Sequence, residues 1–246
     1  MTESDYKKLA GTARLVLLRN ARRFLHFMDP AERREAEGIA REFGCDFDAF
    51  GGYEDAERQI GCYFIREQPH PEEYPLICLK SVYDSRFSTL THRDVLGAYM
   101  GLGLTRACLG DIITTDCSVY LFAEFAVAPM IEDSFRSAGK SALCFSRTEA
   151  SRTVLPAPKG TYFRAMLSSL RLDAVIAAGY RISRTDAANG IRAGNCKLNY
   201  AVCEKTDTAV SSGAMLSLKG RGRVRLVSVD GVTQKNRISV TYFRYE

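Results

Sequence analysis

The chain has 246 residues, 46% hydrophobic and 26% charged, which is ordinary for a folded protein and enough for two or three small domains. No apolar run approaches the roughly 20 residues that cross a bilayer, and Leu15–Leu18 is too short for a secretory signal, so we expect a cytoplasmic protein without membrane contact. The net charge is +5, but residues 168–246 hold 13 Lys and Arg against 6 Asp and Glu, which favours a polyanionic partner for that end.

The first 45 residues are predicted to be helical. Arg14–Phe27 mixes apolar and basic positions along a first helix. A second helix has start and stop signals at Asp29, Pro30, Glu32 and Gly44. Residues 46–66 are predicted to be extended, and three prolines then mark a boundary at positions 69, 71 and 75. Residues 1–74 are therefore predicted to form a mostly helical N-terminal α/β unit.

Residues 75–148 are predicted to form a second unit with the order β-α-β-β-α-β. Strands are predicted at 76–83, 112–114, 119–123 and 142–146, and helices at 91–100 and 124–138. This order fits a ferredoxin-like (RRM-like) sandwich, an architecture that many RNA-recognition domains use. Residues 149–167 are predicted to be a linker, marked by Pro156 and Pro158, followed by an entering strand.

Residues 168–246 are predicted to form a compact domain of helix, turn, helix and strand. Leu172 and Ile176 follow helical spacing, which gives the first helix a buried face. A capping pattern at Ser183 begins the second helix, and Gly194 ends it. The basic residues that crowd around these helices are Arg171, Arg181, Arg184, Arg192 and Lys197. Such crowding is typical of a phosphate-binding surface, so the pattern favours RNA as the partner.

Residues 169–230 resemble the S4-type RNA-binding domain. The resemblance is carried by Arg171-Leu172-Asp173, Ser183-Arg184, Ile191-Arg192-Ala193-Gly194 and Asn199. Two positions depart from the pattern: Cys196 stands where a branched residue is usual, and Ala214 stands where the family has Asp. The second change removes a turn-capping carboxylate but leaves the basic residues in place. The whole fold is thus expected to be α+β with a C-terminal S4-type domain.

Motifs in the first two units resemble those of the YlmH family of bacterial proteins. They are Phe50-Gly51-Gly52-Tyr53 with Ala56-Glu57-Arg58, Leu90 to Gly97, Met100 to Arg106, and Gly110-Asp111-Ile112. With the C-terminal domain, the similarity covers nearly the whole chain. The resemblance implies a non-enzymatic factor that binds ribosomal RNA, is tied to the large ribosomal subunit and acts in rescue of stalled translation.

We predict that the principal RNA contacts lie in the C-terminal domain. They are Arg171, Arg181, Arg184, Arg192 and Lys197. Lys219, Arg221 and Arg223 lie on a Gly-spaced turn that could flank the same surface, and Ser183 is a further candidate that we interpret mainly as the helix cap. Arg184 and Arg192 share a helix face, because eight residues leave them only about 80° apart around the axis. Asp173 is predicted to orient one of the arginines through paired hydrogen bonds. His92 and Arg93, in the first turn after the N-cap Thr91, are secondary candidates for RNA contact.

No catalytic residue, cofactor or metal ligand is predicted. The eight cysteines include no pair two to four residues apart, so we expect reduced and mostly buried thiols and no zinc site. His92-Arg93-Asp94 copies part of a kinase catalytic loop, but Tyr99 stands where that loop needs asparagine. The glycines of 97–110 lack a phosphate-loop pattern, and Gly51-Gly52 is likewise interpreted as a turn.

Two other functions stay open beside RNA binding on the ribosome. An RNA-modifying enzyme, similar to a pseudouridine synthase or a methyltransferase, could carry its active site in residues 1–150. Against it, Asp173 belongs to the binding helix itself, no catalytic domain follows, and a Gly-rich cofactor loop is missing. A basic protein-interaction adaptor is the other alternative. We expect a monomer that contacts ribosomal RNA, and the sequence leaves contact with tRNA open.

Overall fold

The structure is a computed structural model that describes residues 2–68, 73–86, 89–149, 155, 160–233 and 236–245. The chain forms two compact units, Met1–Pro156 and Ala157–Glu246. The segments predicted as separate N-terminal and central domains therefore belong to one compact unit. The predicted boundary at Pro69 and Pro71, and most of the predicted linker, lie outside the described residues. Within the described ranges, every helix is too short or too polar to span a bilayer.

Two helices and a three-stranded antiparallel sheet begin the first unit. The elements are α1 (Glu3–Arg19), β1 (Arg23–Met28), α2 (Pro30–Phe43), β2 (Asp46–Phe50) and β3 (Gln59–Phe64), and the strand order is β1-β3-β2. Val16 of α1, Ile39 of α2 and Tyr63 of β3 pack in one hydrophobic core. The Tyr63 hydroxyl also donates to the Ala36 carbonyl at 2.9 Å, which ties the sheet to α2.

The predicted helix over residues 14–27 is wrong beyond Arg19. Asn20 adopts the left-handed conformation, with φ 50°, and its N–H caps the last turn of α1. Residues 23–28 form β1 instead, because pairing with β3 buries Phe27 and Met28 almost completely. The signals that define α2 are confirmed at Asp29, Pro30, Glu32 and Gly44.

A four-stranded antiparallel sheet forms the rest of the first unit. The elements are β4 (Leu76–Val82), α3 (His92–Gly101), β5 (Leu109–Thr114), β6 (Ser118–Glu124), α4 (Ala128–Ser134), β7 (Ser137–Ala138), β8 (Ser141–Ala142) and β9 (Ser146–Thr148). The strand order is β5-β6-β4-β9, and β7 pairs with β8 as a separate hairpin. Tyr99 of α3 and Ile131 of α4 pack with Leu79 and Leu121 of the sheet in one core.

The predicted helix over residues 124–138 is shorter than expected. A 3₁₀ turn at Phe125–Val127 precedes α4, which ends where Phe135 leaves the helical conformation. Gly139, with φ 53°, then allows the tight turn between β7 and β8. The last strand lies at 146–148 and not at the predicted 142–146, because Leu143 and Phe145 point into the core beside β8.

All eight cysteines are free thiols, and half of them are buried. The buried cysteines are Cys45, Cys62, Cys78 and Cys196. Burial raises the pKa of Cys62 to about 11, which keeps this thiol neutral at physiological pH. The expectation of mostly buried thiols is wrong for the other half: Cys108 and Cys203 are partly buried, and Cys117 and Cys144 are exposed. Cys144 faces solvent because it alternates with the buried Leu143 and Phe145.

The second unit is a six-stranded antiparallel sheet with two helices on one face. The elements are β10 (Gly160–Leu167), α5 (Leu172–Tyr180), α6 (Arg184–Arg192), β11 (Cys196–Leu198), β12 (Ala201–Val202), β13 (Met215–Leu218), β14 (Gly222–Val232) and β15 (Ile238–Tyr245), and the strand order is β10-β15-β14-β13-β11-β12. Ile176 of α5 and Ile191 of α6 pack against Val224 and Tyr242 of the sheet. The predicted buried face of α5 is therefore confirmed.

Candidate nucleic-acid interface

A capped helix start fixes the direction in which Arg184 leaves α6. The Ser183 hydroxyl accepts from the Asp186 backbone N–H at 3.0 Å and donates to the Asp186 carboxylate at 2.7 Å. The first bond satisfies one of the backbone N–H groups that the start of a helix leaves without a helical partner, which confirms the predicted cap. Arg184, the first residue of the helix, then reaches back to the start of α5.

Asp173 holds two arginines at the start of α5. Its carboxylate accepts from Arg184 Nη2 at 2.7 Å, from Arg171 Nε at 3.4 Å and from the Ala174 backbone N–H at 2.8 Å. Burial acts to raise the pKa of Asp173, but the hydrogen bonds from Arg184 and Arg171 outweigh it and hold that pKa below the ordinary value. We call Arg171, Asp173 and Arg184 the helix corner. Because both arginine side chains remain about half exposed, the corner presents oriented guanidinium groups to solvent.

Arg181 and Arg244 flank one aromatic ring beside the helices. Arg181 ends α5 in the left-handed conformation, with φ 54°, and its guanidinium lies 5.3 Å from the centre of the Phe163 ring. Arg244 lies at the same distance from that ring and donates to the Gly179 carbonyl at 2.7 Å. These contacts position two further cations, and Arg244 was missed in the sequence because nothing marks it as facing the helices.

Arg192, Lys219 and Arg221 are exposed and lie away from the helix corner. Arg192 is the last residue of α6, about 12 Å along the axis from Arg184 at 1.5 Å per residue. Arg221 lies in the turn between β13 and β14, where it lines a shallow depression with Tyr180 and Arg244. Because these three residues are separated from the helix corner, an RNA that contacts both must extend across the surface of the second unit.

Lys197 and Arg223 are not brought together with the helix corner, contrary to expectation. Lys197 alternates with the core residues Cys196 and Leu198, so it points to the sheet face opposite the helices. Arg223 also points there, since it and Lys197 both lie opposite Ser217 in the antiparallel register. The alternation of side chains along β11 and β14 predicts this placement, but the strand boundaries are needed before that alternation can be applied.

His92 and Arg93 lie in the first unit and are exposed in the first turn of α3. The predicted capping box is confirmed there: the Thr91 hydroxyl accepts from the Asp94 N–H at 3.3 Å, and the Asp94 carboxylate accepts from the Thr91 N–H at 3.0 Å. The side-chain and backbone hydrogen bonds from Thr91 lower the pKa of Asp94. Asp94 is therefore a helix cap, which agrees with the rejection of a kinase loop.

The glycine loop, residues 51–58, is a structural connection in the first unit. A Cβ added at Gly51 would lie 2.4 Å from the Arg58 carbonyl oxygen, and Gly52 has φ 99°, so both glycines have a structural reason in this bend, as the turn interpretation predicts. Asp111 of β5 accepts from the Tyr53 hydroxyl and the Glu57 backbone N–H, both at 2.7 Å, and from the Arg58 N–H at 3.1 Å. Burial raises the pKa of Asp111 despite these bonds. The loop thus connects the three-stranded sheet of the first unit to β5, a strand of the four-stranded sheet in the same unit.

Comparisons with known proteins agree on one family. Residues 69–151 match the family model described as a putative RNA-binding domain in YlmH. Ribosome-associated protein quality control protein P2 of Bacillus subtilis (strain 168) is 32% identical over 219 residues, which cover 89% of this chain and 85% of the relative. The structure of cell division protein YlmH from Streptococcus pneumoniae matches with a TM-score of 0.53 and 18% identity, over 63% of this chain and 96% of that chain. At that identity, the structural match shows a shared fold alone.

Proposed function

The chain belongs to the YlmH family, and from that premise we propose that it is a ribosome-associated RNA-binding protein without an enzymatic step. Its target is ribosomal RNA of the large subunit, and its role is rescue or quality control of stalled translation. The observation that carries this proposal is the helix corner, where Asp173 orients Arg171 and Arg184 while both remain accessible. Oriented guanidinium groups bind phosphate well, because little side-chain freedom remains to be given up on binding.

The second unit is proposed to be an S4-type RNA-binding domain over residues 168–246. In support, α5, α6 and β11 lie where the motifs of that domain predict them. The two positions that depart from the family pattern, Cys196 and Ala214, are both buried in the core and leave the basic surface unchanged.

Residues 75–148 are proposed to be a ferredoxin-like RNA-binding domain, next to a mostly helical part in residues 1–74. The order β5-β6-β4-β9, with α3 and α4 as the connecting helices, has the first and third strands in the centre, as that architecture requires. The family match at residues 69–151 supports RNA binding by the same segment. Residues 149–167 supply the linker and the strand that enters the second unit, and the protein acts as a monomer.

Co-sedimentation with ribosomal particles tests the proposed function. Purified protein is mixed with 30S, 50S and 70S particles and separated on sucrose gradients at low and moderate salt. We expect the wild type to migrate with 50S particles and to dissociate as salt rises, because phosphate contacts release counterions. Arg184→Ala combined with Arg192→Ala should remove most of the bound fraction.

A charge-matched variant separates a specific surface from total charge. Lys8→Ala combined with Arg66→Ala removes the same net charge from exposed positions of the first unit and should sediment as the wild type does. Absence of the wild type from every particle would contradict the ribosomal proposal. Turnover of RNA by the purified protein would contradict the proposal that no enzymatic step is involved.

A further inference from the structure

The sheet of the second unit has two unlike faces. Alternation along β14 sends Val224 and Leu226 into the core beneath α5 and α6, and it sends Arg223 and Arg225 to the opposite side. The antiparallel register places further residues on that same side, opposite the helices. We call this side the open face, formed by Tyr162, Lys197, Arg223, Arg225, Phe243 and Tyr245.

Three aromatic rings lie together on the open face. The Phe243 ring centre lies 4.8 Å from that of Tyr162 and 4.8 Å from that of Tyr245. Phe243 also covers Gly160, where an added Cβ would lie 2.5 Å from the ring, so only glycine leaves room for it. Phe243 is consequently 9% exposed, whereas Tyr162 is 67% exposed. The neighbouring rings support Tyr162 and leave most of its surface accessible.

Basic side chains lie among these rings. Arg225 is directly opposite Phe243 in the register, and the Arg223 guanidinium lies 5.6 Å from the centre of the Tyr245 ring. Lys197 is two strands from Arg223 and four strands from Tyr162. Because neighbouring strands are about 4.8 Å apart, the cations and rings extend over about 19 Å across the sheet.

Arg223, Arg225 and Lys197 lie at one end of the open face, whereas Arg164, opposite Thr241 in the register, lies beside Asp230 toward the other end. At the other end Asp230 accepts from the hydroxyls of Thr241 at 2.8 Å and Ser228 at 2.5 Å, which places a carboxylate there. A polyanion should therefore bind across the end that carries Tyr245 and Arg225. The Asp230 carboxylate would repel its phosphates at the other end.

We propose that the open face binds single-stranded RNA, with an unpaired base stacked on Tyr162 and backbone phosphates held by Arg223, Arg225 and Lys197. Charge complementarity selects a polyanion, and the supported, exposed ring selects one that carries planar bases. Stacking requires that the base is free of its duplex neighbours, so the ligand is single-stranded. The inference rests on the proposed RNA-binding function, but it concerns the sheet face opposite the helices and not the helix corner.

A single tryptophan provides the test, because the chain contains none. In the full-length Tyr162→Trp variant, all tryptophan emission comes from the open face. An oligouridylate of about ten nucleotides, within the range of known single-strand site sizes, should quench this emission by stacking. A Val232→Trp variant carries the same probe at a position that is 64% exposed and outside the basic end, and its emission should not change.

Binding measurements with side-chain truncations complete the test. Tyr162→Ala should weaken oligouridylate binding about tenfold, while Tyr162→Phe, which keeps the ring, should bind as the wild type does. If oligouridylate leaves the emission of Tyr162→Trp unchanged while ribosomal RNA still binds, the open-face proposal is wrong and the proposed function stands. Failure of all RNA binding, by the wild type as well, would instead reject the proposed function. Equal quenching by a blunt RNA duplex would also overturn the stacking proposal.

Discussion

Asp173 combines a structural and a positioning role in one buried carboxylate. Its side chain is 11% exposed and accepts hydrogen bonds from two arginines whose side chains are 49% and 48% exposed. Removal of the carboxylate would leave Arg184 without its shortest hydrogen bond, 2.7 Å, and free to adopt other rotamers. The sequence indicated this role for Asp173, but the choice of Arg184 as the main partner required the structure.

The stability of the second unit should depend on pH through Asp173. Because hydrogen bonds lower its pKa below 3.8 in the folded state, its contribution is present above about pH 4 and is lost as the pH falls through the folded value. Asp173→Asn should lower the free energy of unfolding by about 1–3 kcal/mol at pH 7, and this difference should shrink as the pH falls through the lowered pKa of Asp173. Urea denaturation across this pH range measures the difference. The exposed Asp207→Asn serves as control, and an equal decrease in both variants would refute the role of Asp173.

Hydrogen bonds from a connecting loop add to the hydrophobic packing between the two sheets of the first unit, where Phe27 and Phe122 share a buried cluster. The glycine loop joins β1 to β5, because the Arg58 guanidinium donates to the carbonyls of Phe27 at 2.7 Å and Leu109 at 2.9 Å. Motif resemblance marked this loop as important, and the structure accounts for it by backbone packing and buried hydrogen bonds. The loop therefore needs no RNA contact to explain its two glycines.

Gly51→Ala should destabilise the first unit by about 2–3 kcal/mol, because the new methyl group meets the Arg58 carbonyl and the Ala56 side chain. Gly38→Ala is the matched control. That glycine lies in α2 with open space around its Cβ position, so alanine should stabilise the helix by about 0.5–1 kcal/mol. Thermal or urea unfolding of both variants measures the difference. Opposite signs are expected, and a neutral Gly51→Ala would show that the loop can move aside.

At the scale of the whole molecule, local signals were predictable and long-range pairings were not. The caps at Asp29, Thr91 and Ser183 could be predicted, because each depends on residues within one turn. The pairing of β10 with β15 could not, since it joins Gly160–Leu167 to a strand at the far end of the second unit, Ile238–Tyr245. Without that pairing, the contact between the Tyr162 and Phe243 rings cannot be predicted from the sequence. The basic residues were therefore predicted as one cluster, although the structure divides them between two sides of the sheet.

The two proposed RNA-binding surfaces, the basic helix surface and the open face, should differ in their salt dependence. Arg184→Ala combined with Arg192→Ala removes the cations proposed to bind phosphate. The slope of log affinity for ribosomal RNA against log salt is negative, and its magnitude should decrease by about one for each phosphate that is no longer bound. Tyr162→Ala removes an uncharged ring and should weaken oligouridylate binding without changing the slope. Titrations at several salt concentrations measure both slopes. A reduced slope in Tyr162→Ala would show that the ring acts only by placing the neighbouring cations.

Arg181 occupies a backbone conformation, with φ 54°, that glycine adopts with far less strain. Glycine there would relax the connection between α5 and α6, but it would also remove the guanidinium that lies over Phe163. If Arg181 contacts RNA as proposed, a substitution to glycine should exchange RNA affinity for thermal stability. A laboratory population of variants selected only for heat resistance should accumulate glycine at position 181, whereas one selected for the proposed RNA binding should keep arginine.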